Sequence, residues 1–167
     1  MAIPNTARIA LLSGFPGNIS HDGPTRAASC VLKSGTEANN VFGRAFTYED
    51  TGKETVQAGG TGTFAGIMIN PKAYAIDTEY AANGTVAEFL TMGEVYVEIK
   101  GDSPDIGSKV YFIPATGEIT VDANDGADPT PADYTEIVGA VVVRHSVSTN
   151  SSGGKLAVIS LTGPQPA

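Results

Sequence analysis

Residues 94–100, Glu-Val-Tyr-Val-Glu-Ile-Lys, alternate apolar and polar without a break. A period of two suits an extended strand and defeats a helix, whose faces repeat every 3.6 residues. Val95, Val97 and Ile99 are expected on a core-facing side, with Glu94, Tyr96, Glu98 and Lys100 on a wet face or at a polar contact. Thr63 to Ile69 is apolar on both faces, which predicts a strand buried from both sides. Ile137–Val143 reads the same way, interrupted only by Gly139-Ala140. Shorter strands are expected at Cys30–Lys33, Val41–Tyr48, Thr55–Gln57, Val86–Leu90, Lys109–Ile113, Glu118–Val121 and Leu156–Leu161. Ala115-Thr116-Gly117 marks a tight hairpin between two of them, Gly being free to take a positive φ.

Helical patterning is scarce. Asn70-Pro71 and Thr130-Pro131 could each cap a turn, but neither continues with an apolar stripe, so one-turn pieces are the most expected. Short strands at turn-punctuated spacing predict an all-β fold: a jelly roll, or a flattened antiparallel β-barrel or sandwich. Residues 1–28, rich in Pro and Gly at the start, are assigned to an irregular N-terminal arm. Residues 29–163 form the β body and residues 164–167 a tail whose two prolines lack the N–H a ladder needs. Residues 122–133 read as a long acidic exposed loop.

Charge narrows the function. With 10 Lys+Arg against 18 Asp+Glu the chain carries −8 at pH 7, the wrong sign for holding a phosphate backbone, so no nucleic-acid partner is expected. No stretch approaches the ~20 apolar residues of a membrane span, and the N-terminal apolar run is too short for a secretory signal. A single cysteine, Cys30, forms no internal disulfide. These features predict a soluble product of a reducing compartment, with no membrane partner.

Reactive groups are few. His21-Asp22 are neighbours in a loop, where adjacent side chains on an extended backbone point apart and do not pair easily. His145 follows an apolar strand, where a surface position is the simplest account. Cys30 opens an apolar strand and reads as a small buried hydrophobe without a basic neighbour to activate it. Gly60, Gly62 and Gly66 miss the dinucleotide-binding spacing by one residue and lead into a strand instead of a helix. Asp122 to Gly126 fails the calcium-loop register, which would require carboxylates where Val121 and Ala132 stand. No catalytic residue, metal site or cofactor is expected.

A series of strings nevertheless points to a family. Val41-Phe42-Gly43-Arg44-Ala45-Phe46-Thr47 is followed by Gly66-Ile67-Met68-Ile69-Asn70-Pro71-Lys72-Ala73-Tyr74-Ala75 and Met92-Gly93-Glu94-Val95-Tyr96-Val97. Ile106-Gly107-Ser108-Lys109-Val110-Tyr111-Phe112 and Ala115-Thr116-Gly117-Glu118-Ile119 complete it. From about Val41 to Leu161 the series resembles the structural cement proteins that decorate the heads of tailed bacteriophages. The resemblance implies a non-enzymatic virion component on the outer surface of the capsid. Its partners would be the major capsid protein and other copies of itself, a homo-dimer being favoured and a trimer possible. No contact residue is transferred from the family. The candidates from this sequence are the apolar points of the arm, Ile9, Leu11, Leu12, Phe15 and Ile19, and the polar face Glu94, Tyr96, Glu98 and Lys100. Two other classes compete: a head–tail joining or tail β-barrel, and a carbohydrate-binding β-sandwich. The latter needs an aromatic platform, and a chain with 7% aromatics and no Trp, with Tyr96 its clearest outward aromatic, offers a poor one.

Overall fold

A computed structural model describes residues 14–20, 23–50, 53–70, 80–101, 104–121, 134–149 and 154–163. The strands are Arg26–Leu32 (β1), Ala45–Tyr48 (β2), Thr55–Ala58 (β3), Phe64–Ile69 (β4), Val86–Lys100 (β5), Lys109–Phe112 (β6), Ile119–Thr120 (β7), Thr135–Thr149 (β8) and Lys155–Thr162 (β9). A single 3-10 turn, Glu37–Asn39, is the only helical piece among the described residues. The capping candidates at 71–74 and 130–133, the loop at 122–133, His21-Asp22 and the tail at 164–167 lie outside them.

The class is all-β, and of the forms expected the closed barrel is the one found. Hydrogen bonding runs β1-β3-β2-β4-β5-β7-β6-β8-β9, with β5 also bonded to β1 and to β9. Those two extra pairings close the sheet twice: β1, β3, β2, β4 and β5 form one ring, and β5, β7, β6, β8 and β9 another. Each ring has five members, and strands that reverse direction at every step cannot close an odd ring. One parallel pair per ring is therefore required, and one is present: β1 with β3, and β5 with β7. Both closures are short, two residue pairs each. The barrel is thus not purely antiparallel, for a reason of parity.

β5 is the shared wall. Along one edge it pairs with β1 from Val86 to Met92 and with β7 at Ile99–Lys100. Along the other it pairs with β4 at Glu88–Leu90 and with β9 from Met92 to Ile99. The alternating segment expected at 94–100 and the strand expected at Val86–Leu90 are one strand of 15 residues, running on through Gly93 at φ +124.

Two clusters of buried side chains follow from the two rings. Cys30, Leu32, Phe46, Val56, Ala58, Ala65, Met68 and Phe89 form the smaller, with the Phe46 and Phe89 rings 5.0 Å apart. Val95, Val97, Ile99, Val110, Phe112, Ile119, Ile137, Val142, Ile159 and Leu161 belong to the larger. β4 serves both. Its Ala65 and Met68 sit in the first cluster while Ile67 and Ile69 sit in the second, which is why the segment reads as apolar on both faces. The three-residue step from Ala65 to Met68 passes Gly66 at φ +140, where a Cβ would stand 2.7 Å from the Leu90 carbonyl oxygen. The β2–β4 register shifts next to this glycine, with Ala65 the residue passed over between Gly66 and Phe64.

Four expected strands change in extent, the first being β1, which begins at Arg26, four residues before Cys30 and within the 1–28 stretch assigned to the arm. Val41–Arg44 is a turn, not the start of β2, because Gly43 takes φ +81 and lies against Pro16. β7 holds only Ile119 and Thr120, and β8 extends from Thr135 to Thr149, so His145 is mid-strand and half-buried, not at a strand end. The hairpin at 115–117 is present: Gly117 at φ +74 donates to Ile113 O at 2.8 Å and turns β6 into β7. Gly59 and Gly60 form a turn between β3 and β4 that touches the second ring, the Gly60 amide donating to Pro114 O at 2.7 Å.

Candidate functional site

β5 has a gap on the edge away from β9, between β1 and β7, and the arm fills it. Gly17 N donates to Tyr96 O at 2.7 Å, Tyr96 N to Asn18 O at 2.8 Å and Ser20 N to Glu94 O at 2.9 Å, with Ile19 bridged to Val95. The main-chain groups that β1 and β7 leave open are thereby satisfied. The fit needs glycine: Gly17, at φ +87, would place a Cβ 2.7 Å from Phe42 Cβ. The Asn70 amide donates to Gly17 O at 2.8 Å, tying the same residue to the end of β4. Arg144 on β8 completes the clasp, donating to Ser20 Oγ at 2.5 Å and to Glu94 Oε2 at 3.1 Å.

This covering corrects one expectation. Tyr96 shares the outward face of β5 with Glu94 and Glu98, as parity dictates, yet it is 9% exposed. Val158, its partner in the β5–β9 ladder and so on the same face, is also buried. Gly14 lies against the tyrosine ring, so this face is roofed by the protein's own chain and offers no outward aromatic. Phe15 and Ile19 project instead, 75% and 41% exposed. Ile9, Leu11 and Leu12 lie outside the described residues.

Glu98 and Lys100 border a groove of about 420 Å³ between the arm, the 38–44 turn and the end of β5. Pro16, Val41, Phe42 and Ile119 give it apolar walls, with Ala38 and Tyr80 beside them. Four charged side chains line it in a connected row. Glu98 is 3.2 Å from Lys100, Lys100 is 4.0 Å from Glu118, and Glu118 is 3.2 Å from Arg44. Arg44 is further held by Asn39 Oδ1 at 3.0 Å and Thr116 O at 3.1 Å. The structure thus joins Glu98 and Lys100 in one feature and sets Glu94 in another, the Arg144 clasp. Arg44, Glu118 and Arg144 were missed by sequence reasoning. The β5–β7 register, Ile99 opposite Ile119, is what sets Glu118 beside Glu98 and Lys100, and a two-residue strand leaves no periodic signal.

Cys30 is buried on β1, its Sγ donating to Tyr48 Oη at 3.9 Å, and burial pushes the thiol pKa up. Among the described residues no group of three metal-ligating side chains comes together. The arrangement offers surfaces: a projecting aromatic, a charged groove and a roofed sheet.

The fold has a counterpart in a chain from "The capsid of Myoviridae Phage XM1", with a TM-score of 0.68 over 97% of this chain and 98% of that one, at 15% identity. No curated protein matches the sequence. A family model described as Structural cement protein (E217 gp24/Pam3 gp6) matches residues 3–162, nearly the whole chain, and the protein belongs to that family of phage capsid cement proteins.

Proposed function

We propose that the protein binds the outer surface of an assembled phage head and links neighbouring major capsid proteins, acting by adhesion and not by turnover. The observation that carries this is the family match over residues 3–162. The net charge of −8 supports an exterior position, away from packaged nucleic acid. A protein that binds only the assembled shell stabilises it by mass action, and many modest contacts on a symmetric lattice add through effective concentration. Self-association, as a dimer, gives each unit two such contacts to link.

The arm is the proposed shell contact. Residues 14–20 are anchored on β5 and hold Ile19 outward, so an apolar contact there would not have to pay for ordering a free segment. The experiment mixes purified protein with stripped heads and images them. Ordered extra density over the whole head is expected, and density confined to one vertex would favour a head–tail joining part instead. Ile19→Asp should weaken binding while leaving thermal unfolding near wild type; unchanged binding removes this residue from the contact. Deleting residues 1–26 is the poorer test, because it strips the roof from Tyr96 and removes the first residue of β1.

A further inference from the structure

We infer that the groove beside Pro16 is the self-association surface of this protein, occupied by a second copy related by a two-fold axis. The inference rests on the self-association proposed above and supplies its location and residues. Its first support is the order of charges. Glu98, Lys100, Glu118 and Arg44 run negative, positive, negative, positive, each within ion-pair distance of the next. An even, alternating row is its own complement when reversed. A two-fold axis between Lys100 and Glu118 sets Glu98 against the partner's Arg44 and Lys100 against the partner's Glu118. Rows of one sign would repel under the same operation; this one attracts at every position.

The second support is steric. Phe15 is 75% exposed and is joined in sequence to Pro16, which lines the groove. A protruding aromatic next to an open apolar-walled groove, both near one axis, fits the reciprocal geometry of a two-fold contact, in which each Phe15 enters the other copy's groove. An aromatic anchor in a pocket, ringed by polar groups, is the usual centre of a tight interface. The four charges keep their intrachain partners and gain interchain ones as water leaves, so no unpaired charge is buried.

Charge exchange in trans tests this. Lys100→Glu puts two carboxylates face to face across the axis, and Glu118→Lys puts two ammonium groups there. Each variant alone should associate at least about tenfold more weakly than wild type, as like-charge contacts across an interface do. An equimolar mixture should associate again, since each new charge then meets its opposite. Sedimentation equilibrium reads the association, and circular dichroism melting shows that each variant is folded. Phe15→Asp, at an exposed position, gives an independent arm and should also weaken association. A wild type that stays monomeric, or single variants that associate as well as wild type, would overturn the inference, as would a mixture no better than its components. Head binding measured in parallel separates the two proposals: a monomer that still decorates heads leaves the cement role intact and removes only this interface.

Discussion

Gly14 and Tyr96 meet so closely that a methyl group on the glycine would stand 2.8 Å from Cε2 and Cζ of the ring. The contact joins a segment with no periodic pattern to the most regular strand in the chain. It converts what would be an exposed phenol into a covered one.

Substitutions in the arm should therefore act on the body. Gly17→Ala combines a positive φ, +87, with a Cβ 2.7 Å from Phe42 Cβ, and is expected to cost about 1–3 kcal/mol. The same change at Gly84, also at positive φ but with open space around it, should cost only the backbone strain, about 1 kcal/mol. Hydrogen exchange provides the local readout. The Tyr96 amide, bonded to Asn18 O, should exchange faster in Gly17→Ala and be unchanged in Gly84→Ala.

The first ring is pinned by a polar network at one end. Asn40 is 1% exposed and donates to Ala81 O at 2.9 Å and Asn83 Oδ1 at 3.0 Å, while accepting from Ser34 Oγ at 2.5 Å. Asn40→Leu leaves these groups without that partner and is expected to cost about 2–4 kcal/mol. A lower denaturant midpoint at unchanged slope would be the signature.

Burial in the first core sets an alkaline limit on stability. Burial raises the Cys30 thiol above its ordinary 9.0, opposed by the Tyr48 hydrogen bond and reinforced by the charge of Glu54. The folded chain then holds this proton more tightly than the unfolded chain does. The resulting stability is full below about pH 9 and is lost as pH rises through the folded value. Melting curves from about pH 8 to about pH 11 should fall less steeply for Cys30→Ala than for wild type. A disulfide-exchange reagent should also react with the native protein at least about tenfold more slowly than with the unfolded one.

The double service of β4 has a cost that a single-core strand would not carry. Ile67 is fully buried in the larger cluster, so Ile67→Ala should destabilise by about 2–5 kcal/mol. Val86 at the start of β5 is 56% exposed, and Val86→Ala should change stability by no more than about 0.5 kcal/mol. Equilibrium denaturation of the pair checks both.

These elements also show what a sequence can disclose. The two-faced apolar run of β4 and the Val95, Val97, Ile99 face of β5 were legible because burial imposes a local period. The 113–117 hairpin was legible because one glycine has to take a positive φ. Tyr96 was misjudged because its cover comes from Gly14, 82 positions earlier (96 − 14 = 82), in a stretch whose pairing uses main-chain groups that any residue possesses. The turn at Val41–Arg44 was hidden for a related reason: Gly43 bends there to meet Pro16, and contacts between distant segments leave no period. Of the candidate contacts, Glu98 and Lys100 were visible as a polar face, whereas the row they belong to is assembled by the β5–β7 register.

Sharing one strand between two barrels has a mechanical meaning. β5 is laced to β1 over its first half and to β9 over its second, so pulling the barrels apart loads that strand along its own axis. Ladder bonds lie across the strand and resist such shear together, instead of opening one after another like a zip. A protein built this way can join two moving bodies and transmit tension between them without giving way at its middle.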